Sequence, residues 1–291
     1  MSQWDGKSRG TLLGYKIFVF LIKKLGVRTA YGLLVFVAFY YFLFSPKSFR
    51  AIYYYLHQRQ GYGAWKAFWK VYQTYFVFGQ TIIDKVAISS GLRDRFTYEF
   101  DGIDILKEVL ADKNGGVLIS AHVGNFEIAD KFFADIDLDL QINLVTVDQE
   151  RTIIKEYIES ISEKPSVKFI HIQEDMSHVF AINEALSNNE LICFTGDRYF
   201  DGAKTLTAPL LGKEARFPVG PFRIASRLSV PVIFVYVMRE PGLHYHLYAR
   251  RAMDVKQRNP YSYLTTYTRS VEHILQKYPL QWFNFFDFWK C

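Results

Sequence analysis

Cysteine is scarce in this chain of 291 residues, which carries only Cys193 and Cys291. Two cysteines so far apart form neither the spaced set of a metal site nor a disulfide framework, and they fit a reducing compartment. The sequence also lacks the Gly-x-Ser-x-Gly elbow of serine hydrolases and a glycine-rich phosphate loop that ends in Lys-Ser or Lys-Thr. These absences argue against a serine esterase, a P-loop kinase and a metal bound by cysteine.

Acidic residues are nearly missing from positions 1–83, which hold one acid, Asp5, against eleven lysines and arginines. Positions 84–291 hold 24 bases and 28 acids, so the excess positive charge belongs to the amino-terminal arm. Basic residues interleaved with aromatic ones are typical of proteins that bind nucleic acid or anionic lipid. Here the bases flank long apolar runs, which favours an anionic membrane surface as the partner and not nucleic acid.

The arm contains an uncharged run of 18 residues at positions 29–46. This length is near the lower limit for a membrane-spanning helix, which needs about 20 residues. Bases lie on both sides of the run, so the positive-inside rule assigns no orientation. A single span remains open, and so does a helix in the membrane interface or a shallow hairpin with positions 12–25. A signal peptide is excluded because lysines interrupt the first apolar run and no small-residue cleavage site follows.

A short apolar run at positions 117–119 ends in small residues and leads directly to His122, Gly124, Asn125 and Glu127. The run predicts a buried strand and the following residues a helix, so His122 lies where open α/β sheets bind ligands. The His-x4-Glu spacing lets the carboxylate fold back onto the imidazole, which could then take a proton from a hydroxyl. A helix cap with a solvent-facing pair is the plain alternative, but the preceding strand and the tight turn favour the catalytic interpretation.

A second apolar run, at positions 191–195, ends in Gly-Asp197-Arg198, and a third ends in Arg239-Glu240. Three further stretches accompany them: the His-x4-Glu stretch, the Phe-Pro-Val-Gly-Pro block that begins at position 217, and an aromatic tail at positions 278–286. Together these blocks resemble the lysophospholipid acyltransferase superfamily. Within it, the chain is most similar to the bacterial lipid A late (lauroyl/myristoyl) acyltransferases and the mycobacterial phosphatidylinositol mannoside acyltransferase. The likeness covers nearly the whole chain, and its specificity comes from the order and spacing of the blocks.

The resemblance implies a membrane-associated acyltransferase that moves a fatty acyl group from a thioester to a hydroxyl or amine of a lipid acceptor. The donor would be an acyl carrier protein or coenzyme A thioester, and no metal or other cofactor would be needed. The expected location is the bacterial inner membrane, with the catalytic domain on its cytoplasmic face. Two alternatives remain: a lipid hydrolase or thioesterase that uses the same residues on water, and a non-catalytic lipid-binding protein.

The resemblance makes His122 the expected general base and Glu127 the group that orients it. Some relatives carry an extra carboxylate after the Gly-Asp-Arg block, where this chain has threonine and leucine, which leaves Glu127 as the better partner. His244 and His246 would share one face of a strand, but a third metal ligand is not apparent nearby. The remaining candidates for substrate binding or for holding an oxyanion are Asn125, Asp197, Arg198, Arg223, Arg239 and Glu240.

Strands and helices alternate along the rest of the chain, which predicts an α/β fold with a mixed central sheet flanked by helices. We expect three parts: a helical, apolar, basic membrane arm at 1–60, an aromatic helix packed on the catalytic domain at 61–90, and the catalytic domain itself at 91–291. The predicted strands are 116–121, 142–147, 167–170, 191–195, 231–238 and 244–250. The predicted helices of the catalytic domain are 103–111, 127–134, 150–162, 175–187, 218–228 and 261–277.

Overall fold

The computed structural model of the protein describes residues 12–133, 141–146, 167–172, 177–199, 202–252 and 259–290. Four helices come first, and a π-helical turn at Tyr55–Arg59 separates the last two of them. Helix α2 is bounded by glycine and serine, and Pro46 occupies the first turn of the next helix, where its missing N–H costs nothing. These helices are α1 (Leu12–Leu25), α2 (Val27–Phe44), α3 (Pro46–Tyr54) and α4 (Ala64–Ala87).

Helix α2 is apolar on two opposite sides. One side packs on α4: Ala38 and Phe42 are buried there, and the Phe42 ring lies 5.1 Å from that of Phe68. The other side exposes large apolar side chains, among them Phe36 and Leu43. Within the described residues, α2 is the one helix that is long and apolar enough to cross a membrane. The structure therefore contains the helical, apolar arm that the sequence predicts.

The chain after α4 is built on a mixed sheet of seven strands within the described residues. The strands, in chain order, are β1 (Thr97–Asp101), β2 (Gly116–Ser120), β3 (Ile142–Thr146), β4 (Val167–His171), β5 (Leu191–Thr195), β6 (Thr205–Leu210), β7 (Lys213–Pro218), β8 (Val232–Glu240) and β9 (His244–Arg251). The sheet order is β1-β9-β8-β2-β5-β3-β4, and every neighbouring pair is parallel except β8 and β9. Strands β6 and β7 form a separate antiparallel hairpin.

Helices cover both faces of the sheet, as the side chains of β2 show. All five residues of β2 are buried, which is typical of a central strand in a parallel sheet. Leu118 joins a cluster with the helix Ile103–Ala111, whereas Val117 and Ile119 point the other way and pack with the helix Pro260–Lys277. The helices after α4 are α5 (Ile103–Ala111), α6 (Ala129–Phe133), α7 (Ser177–Ser187), α8 (Val219–Arg227) and α9 (Pro260–Lys277).

The predicted fold class is confirmed, and all six predicted strands are present. Two elements were not predicted: β1, which is half-exposed and rich in polar residues, and the β6–β7 hairpin. Neither has the continuous apolar run on which the strand predictions relied. The helix predicted at 150–162 lies outside the described residues.

The arm and the sheet share one hydrophobic core. Phe42 and Tyr55 belong to the same buried cluster as Ile119 of β2, and the Tyr55 ring lies 5.0 Å from that of Trp282. Burying side chains of this size contributes roughly 1.5–3 kcal/mol each. The first helices are therefore an integral layer of the folded protein, not a detached anchor.

Candidate active site

His122 and Asp197 meet because β2 and β5 are adjacent parallel strands. Their register pairs Ser120 with Thr195. His122 and Asp197 each lie two residues beyond that pair. Nδ1 of His122 lies 2.7 Å from Oδ1 of Asp197. The backbone N–H of His122 also donates to the same carboxylate, at 3.0 Å from Oδ2. The carboxylate is thus fixed against the imidazole at the carboxyl edge of the sheet.

Two glycines make this close approach possible. A Cβ on Gly196 would lie 2.8 Å from the ring of Tyr267, whose hydroxyl donates to the carbonyl of Ser120. Gly124 has φ +59°, and a Cβ there would lie 2.0 Å from the carbonyl oxygen of Val237. A larger residue at either position would have to move the strand end that carries Asp197 or the turn that follows His122.

The tail of the chain forms a wall of the site. Trp282 pairs with Val123 in an isolated bridge, and its indole Nε1 donates to Oδ2 of Asp197 at 3.3 Å. The backbone N–H of Phe283 donates to the carbonyl of His122 at 3.0 Å. From sequence, this tail is recognisable only as part of the resemblance, because contacts between segments so distant in the chain leave no local pattern. Trp282 is therefore a site residue that was missed.

The protonation states follow from these contacts. Burial alone would raise the pKa of Asp197, but the charge and hydrogen bonds of His122 and the charge of Arg198 outweigh it and hold that pKa below its usual range. Because the ionised carboxylate can only accept, the ring proton of neutral His122 lies on Nδ1. Nε2 then has its lone pair free, and it has no hydrogen-bond partner within the described residues. The side chain of His122 stays 24% exposed, so a substrate hydroxyl can reach it.

The pKa of His122 is lowered from its ordinary value of 6.5. Burial is the largest cause, the charge of Arg198 adds to it, and Asp197 opposes both. The imidazole is therefore mostly neutral at pH 7, which is the form that can accept a proton.

Glu127 does not orient His122 in this structure. It lies in the 3-10 turn Phe126–Ile128, its carboxylate is paired with Lys85 of α4, and its side chain is 45% exposed. The chain turns at Gly124, between the two residues, so Glu127 lies beside α4 instead of folding back over the ring. Asp197 occupies the position on Nδ1 that the spacing had assigned to Glu127.

Arg198 is the third predicted residue, after His122 and Asp197, that the structure brings to the site. Its guanidinium donates to the carbonyl of Phe283 at 2.8 Å and to Oδ1 of Asn284 at 3.2 Å. Burial lowers its pKa to about 10, against the opposing charge of Asp197, so it remains a cation. Its charge acts on His122 directly, as the lowered pKa of the imidazole shows.

Asn125 and Arg239 serve the scaffold. The amide of Asn125 is buried and donates to the carbonyl of Thr81 at 2.9 Å, so it faces α4 and not the substrate side of His122. Nε of Arg239 donates to Oδ2 of the buried Asp84 at 3.0 Å, which joins β8 to α4. Both residues were expected to bind substrate or an oxyanion. In the structure, their polar groups form hydrogen bonds inside the protein instead.

Glu240 forms a hydrogen bond elsewhere in the fold, and Arg223 faces solvent. The carboxylate of Glu240 accepts a hydrogen bond from the hydroxyl of Tyr278. Arg223 lies exposed on α8.

The strand histidines do not form a metal site with other residues. His246 pairs with Glu99 at 2.5 Å, and no group of three or more metal-ligating side chains is placed to hold an ion in the described parts of the chain.

A mixed α/β sheet that holds a histidine against a carboxylate at its carboxyl edge is an arrangement that can activate a hydroxyl. The family to which the chain belongs is shown by its sequence. The sequence matches the bacterial lipid A biosynthesis acyltransferase family over residues 69–291, from within α4 to the tail. The chain therefore belongs to this family and is an acyltransferase by class, which confirms the resemblance. No curated protein matches the sequence significantly.

Proposed function

We propose that this acyltransferase moves a fatty acyl group from an acyl thioester to a hydroxyl of a lipid acceptor, with His122 as the general base. The observation that carries the proposal is the pairing of Nδ1 with the ionised Asp197, which leaves Nε2 free. The thioester would be carried by acyl carrier protein or coenzyme A. An amine acceptor would use the same base in the same way.

The proposed reaction is a direct transfer. Nε2 of His122 takes the proton of the acceptor hydroxyl as its oxygen attacks the thioester carbonyl. Asp197 stabilises the imidazolium that forms, and Arg198 supplies positive charge for the oxyanion of the tetrahedral intermediate. Collapse of the intermediate breaks the carbon–sulfur bond, and the imidazolium returns the proton to the leaving thiolate. The products are an acyl ester and the free thiol of the carrier.

The test is to incubate the purified protein with a labelled acyl thioester, with and without lipid acceptors extracted from a bacterial membrane. We expect labelled ester to form only when acceptor is present. If labelled free fatty acid is released at the same rate without acceptor, the protein is a thioesterase and the proposal is wrong.

The pH dependence of the reaction should follow the titration of His122. Because its pKa lies below 6.5, the fraction of neutral base rises as the pH rises, and the neutral form predominates at pH 7. We therefore expect kcat/KM to climb on an acidic limb centred below pH 6.5 and to level off as the pH rises above it. A limb centred above pH 7 would show that a different group, or a charged histidine, controls the rate.

Glu127→Gln should reduce transfer less than about tenfold. The ion pair with Lys85 is partly solvent-exposed, and pairs at the protein surface contribute roughly 0–1 kcal/mol. Initial rates at saturating donor would measure the effect. A loss of about 10²-fold or more with an unchanged melting temperature would return Glu127 to the role of the orienting group.

We further propose that the arm holds the enzyme on the cytoplasmic face of the inner membrane. The outer side of α2 and the amino-terminal turns of α4 together expose Phe36, Leu43, Trp65 and Trp69. Tryptophan is enriched at membrane interfaces, and the basic residues of the arm favour an anionic surface. Interfacial and spanning arrangements of α2 both fit this apolar surface.

Phe36→Asp should weaken binding to anionic vesicles at least tenfold, because a carboxylate replaces an apolar side chain that is 73% exposed. Phe180→Asp is the matched control, since Phe180 is 76% exposed on α7, outside the arm. Sedimentation with vesicles would compare the two full-length variants. Equal loss of binding in both variants would show that the membrane contact is not confined to the arm.

A further inference from the structure

A cavity of about 190 Å³ lies outside the catalytic residues, where the first turns of α2 meet α4 and the turn between β8 and β9. The arm, the aromatic helix and the sheet each contribute to its walls. Its lining residues are Arg28, Tyr31, Gln80, Arg239, Gly242 and Leu243.

Gln80 is the most informative of these residues. It lies on α4 with 9% of its surface exposed, and its side-chain amide has no hydrogen-bond partner within the described residues. The amide is not itself enclosed by protein, because it is absent from the fully buried unpaired groups, and it lines the open space of the cavity. Its hydrogen-bonding groups are therefore available to a bound ligand. Its two N–H donors suit an oxygen-rich group.

The charges of the cavity leave one cation without a counterion. Arg239 is neutralised by Asp84, and its guanidinium also donates to Tyr31, to Gly242 at 2.7 Å and to the carbonyl of Glu240. Arg28 is exposed in the first turn of α2 and forms no ion pair in the described part of the chain. No side chain caps that turn either, so its positive end adds to the field of Arg28. The cavity therefore carries a net charge of about +1 and unused hydrogen-bond donors.

We propose that this cavity binds the phosphate of a membrane lipid headgroup. A phosphodiester carries one negative charge and acceptor oxygens, which match the unpaired Arg28 and the unpaired amide of Gln80. The exposed Leu25 lies immediately before the turn into α2, so apolar surface for the lipid chains adjoins the cation. The same oxygens could come from free phosphate, but the adjoining apolar surface favours the lipid. This inference concerns binding alone and does not depend on the proposed acyl transfer.

The experiment uses the full-length protein in a nonionic detergent and titrates dioctanoyl phosphatidylglycerol, dioctanoylglycerol and inorganic phosphate, with native mass spectrometry as the readout. We expect one phosphatidylglycerol per protein, and Arg28→Gln and Gln80→Leu should each weaken it about tenfold. Lys24→Gln is the matched control, because it removes the same charge from an exposed position in α1; it should weaken binding less than about threefold.

Three results would overturn the proposal. Equal weakening by Arg28→Gln and Lys24→Gln would mean diffuse attraction to the arm and no defined site. Equal binding of dioctanoylglycerol would show that phosphate is not recognised. Inorganic phosphate binding as tightly as phosphatidylglycerol would assign the cavity to free phosphate instead of lipid. Because Arg28 is exposed, its variant should fold and give an answer even if Gln80→Leu does not.

Discussion

Replacing His122 with alanine is expected to lower the rate of acyl transfer by about 10²–10⁴-fold, because the general base is lost. The fold should persist, since the backbone N–H that donates to Asp197 remains and the lost side chain is partly exposed. Initial rates of the purified full-length protein, with a melting curve for each variant, would measure both effects.

The control for this substitution is His171→Ala. His171 is an exposed histidine at the end of β4, also a parallel strand of the same sheet, so it tests whether any strand-end histidine matters. We expect its variant to transfer acyl groups at the parent rate. A His122→Ala protein that retains the parent rate would remove His122 from the mechanism.

Asp197→Asn should have the next largest effect, a loss of about 10²–10⁴-fold in kcat. The amide is nearly the same size as the carboxylate, but it cannot stabilise the imidazolium. It can also donate to Nδ1, which would place the ring proton on Nε2 and block the base. Glu127→Gln makes the same chemical change at the other carboxylate and should cost little. The pair of variants therefore decides which acid orients the histidine.

The pH profile separates this role of Asp197 from a purely structural one. The negative charge of Asp197 raises the pKa of His122 against burial, so its removal should move the acidic limb to lower pH. A loosened fold would reduce the rate without moving the limb. An unchanged limb together with an unchanged rate would contradict the assignment of Asp197.

The position of His122 could be predicted from sequence, whereas its partner could not. A short apolar run that ends in a histidine is a local pattern, and the structure places His122 just beyond β2 as expected. The partner depends on β5 lying beside β2, although β3 and β4 come between them in the chain. Sequence spacing therefore favoured Glu127, which is close in the chain, over Asp197, which is close in space. One signal was present: each residue follows the end of its strand by two positions.

The scaffold roles of Arg239 and Asn125 were equally invisible in the sequence. Both are polar residues near strand ends, where a substrate contact is the natural hypothesis. Their partners, Asp84 and the carbonyl of Thr81, lie on α4. The sequence of α4 predicts only an aromatic helix. Only the packing of that helix against β8 and β9 shows that these side chains serve the interior.

If the arm inserts into a bilayer as proposed, its bond to the sheet determines how deep in that bilayer the enzyme can work. Tyr31 of α2 donates to Asp84 of α4 and accepts from Arg239 of β8, so α2 is fixed to the strand that borders β2. An enzyme on a flexible tether would sample many heights above the lipid surface. Here the height of His122 is constant once the arm is inserted. The hydroxyl of the proposed lipid acceptor would have to reach that height. The enzyme would therefore select acceptor lipids by the distance between this hydroxyl and their own acyl chains.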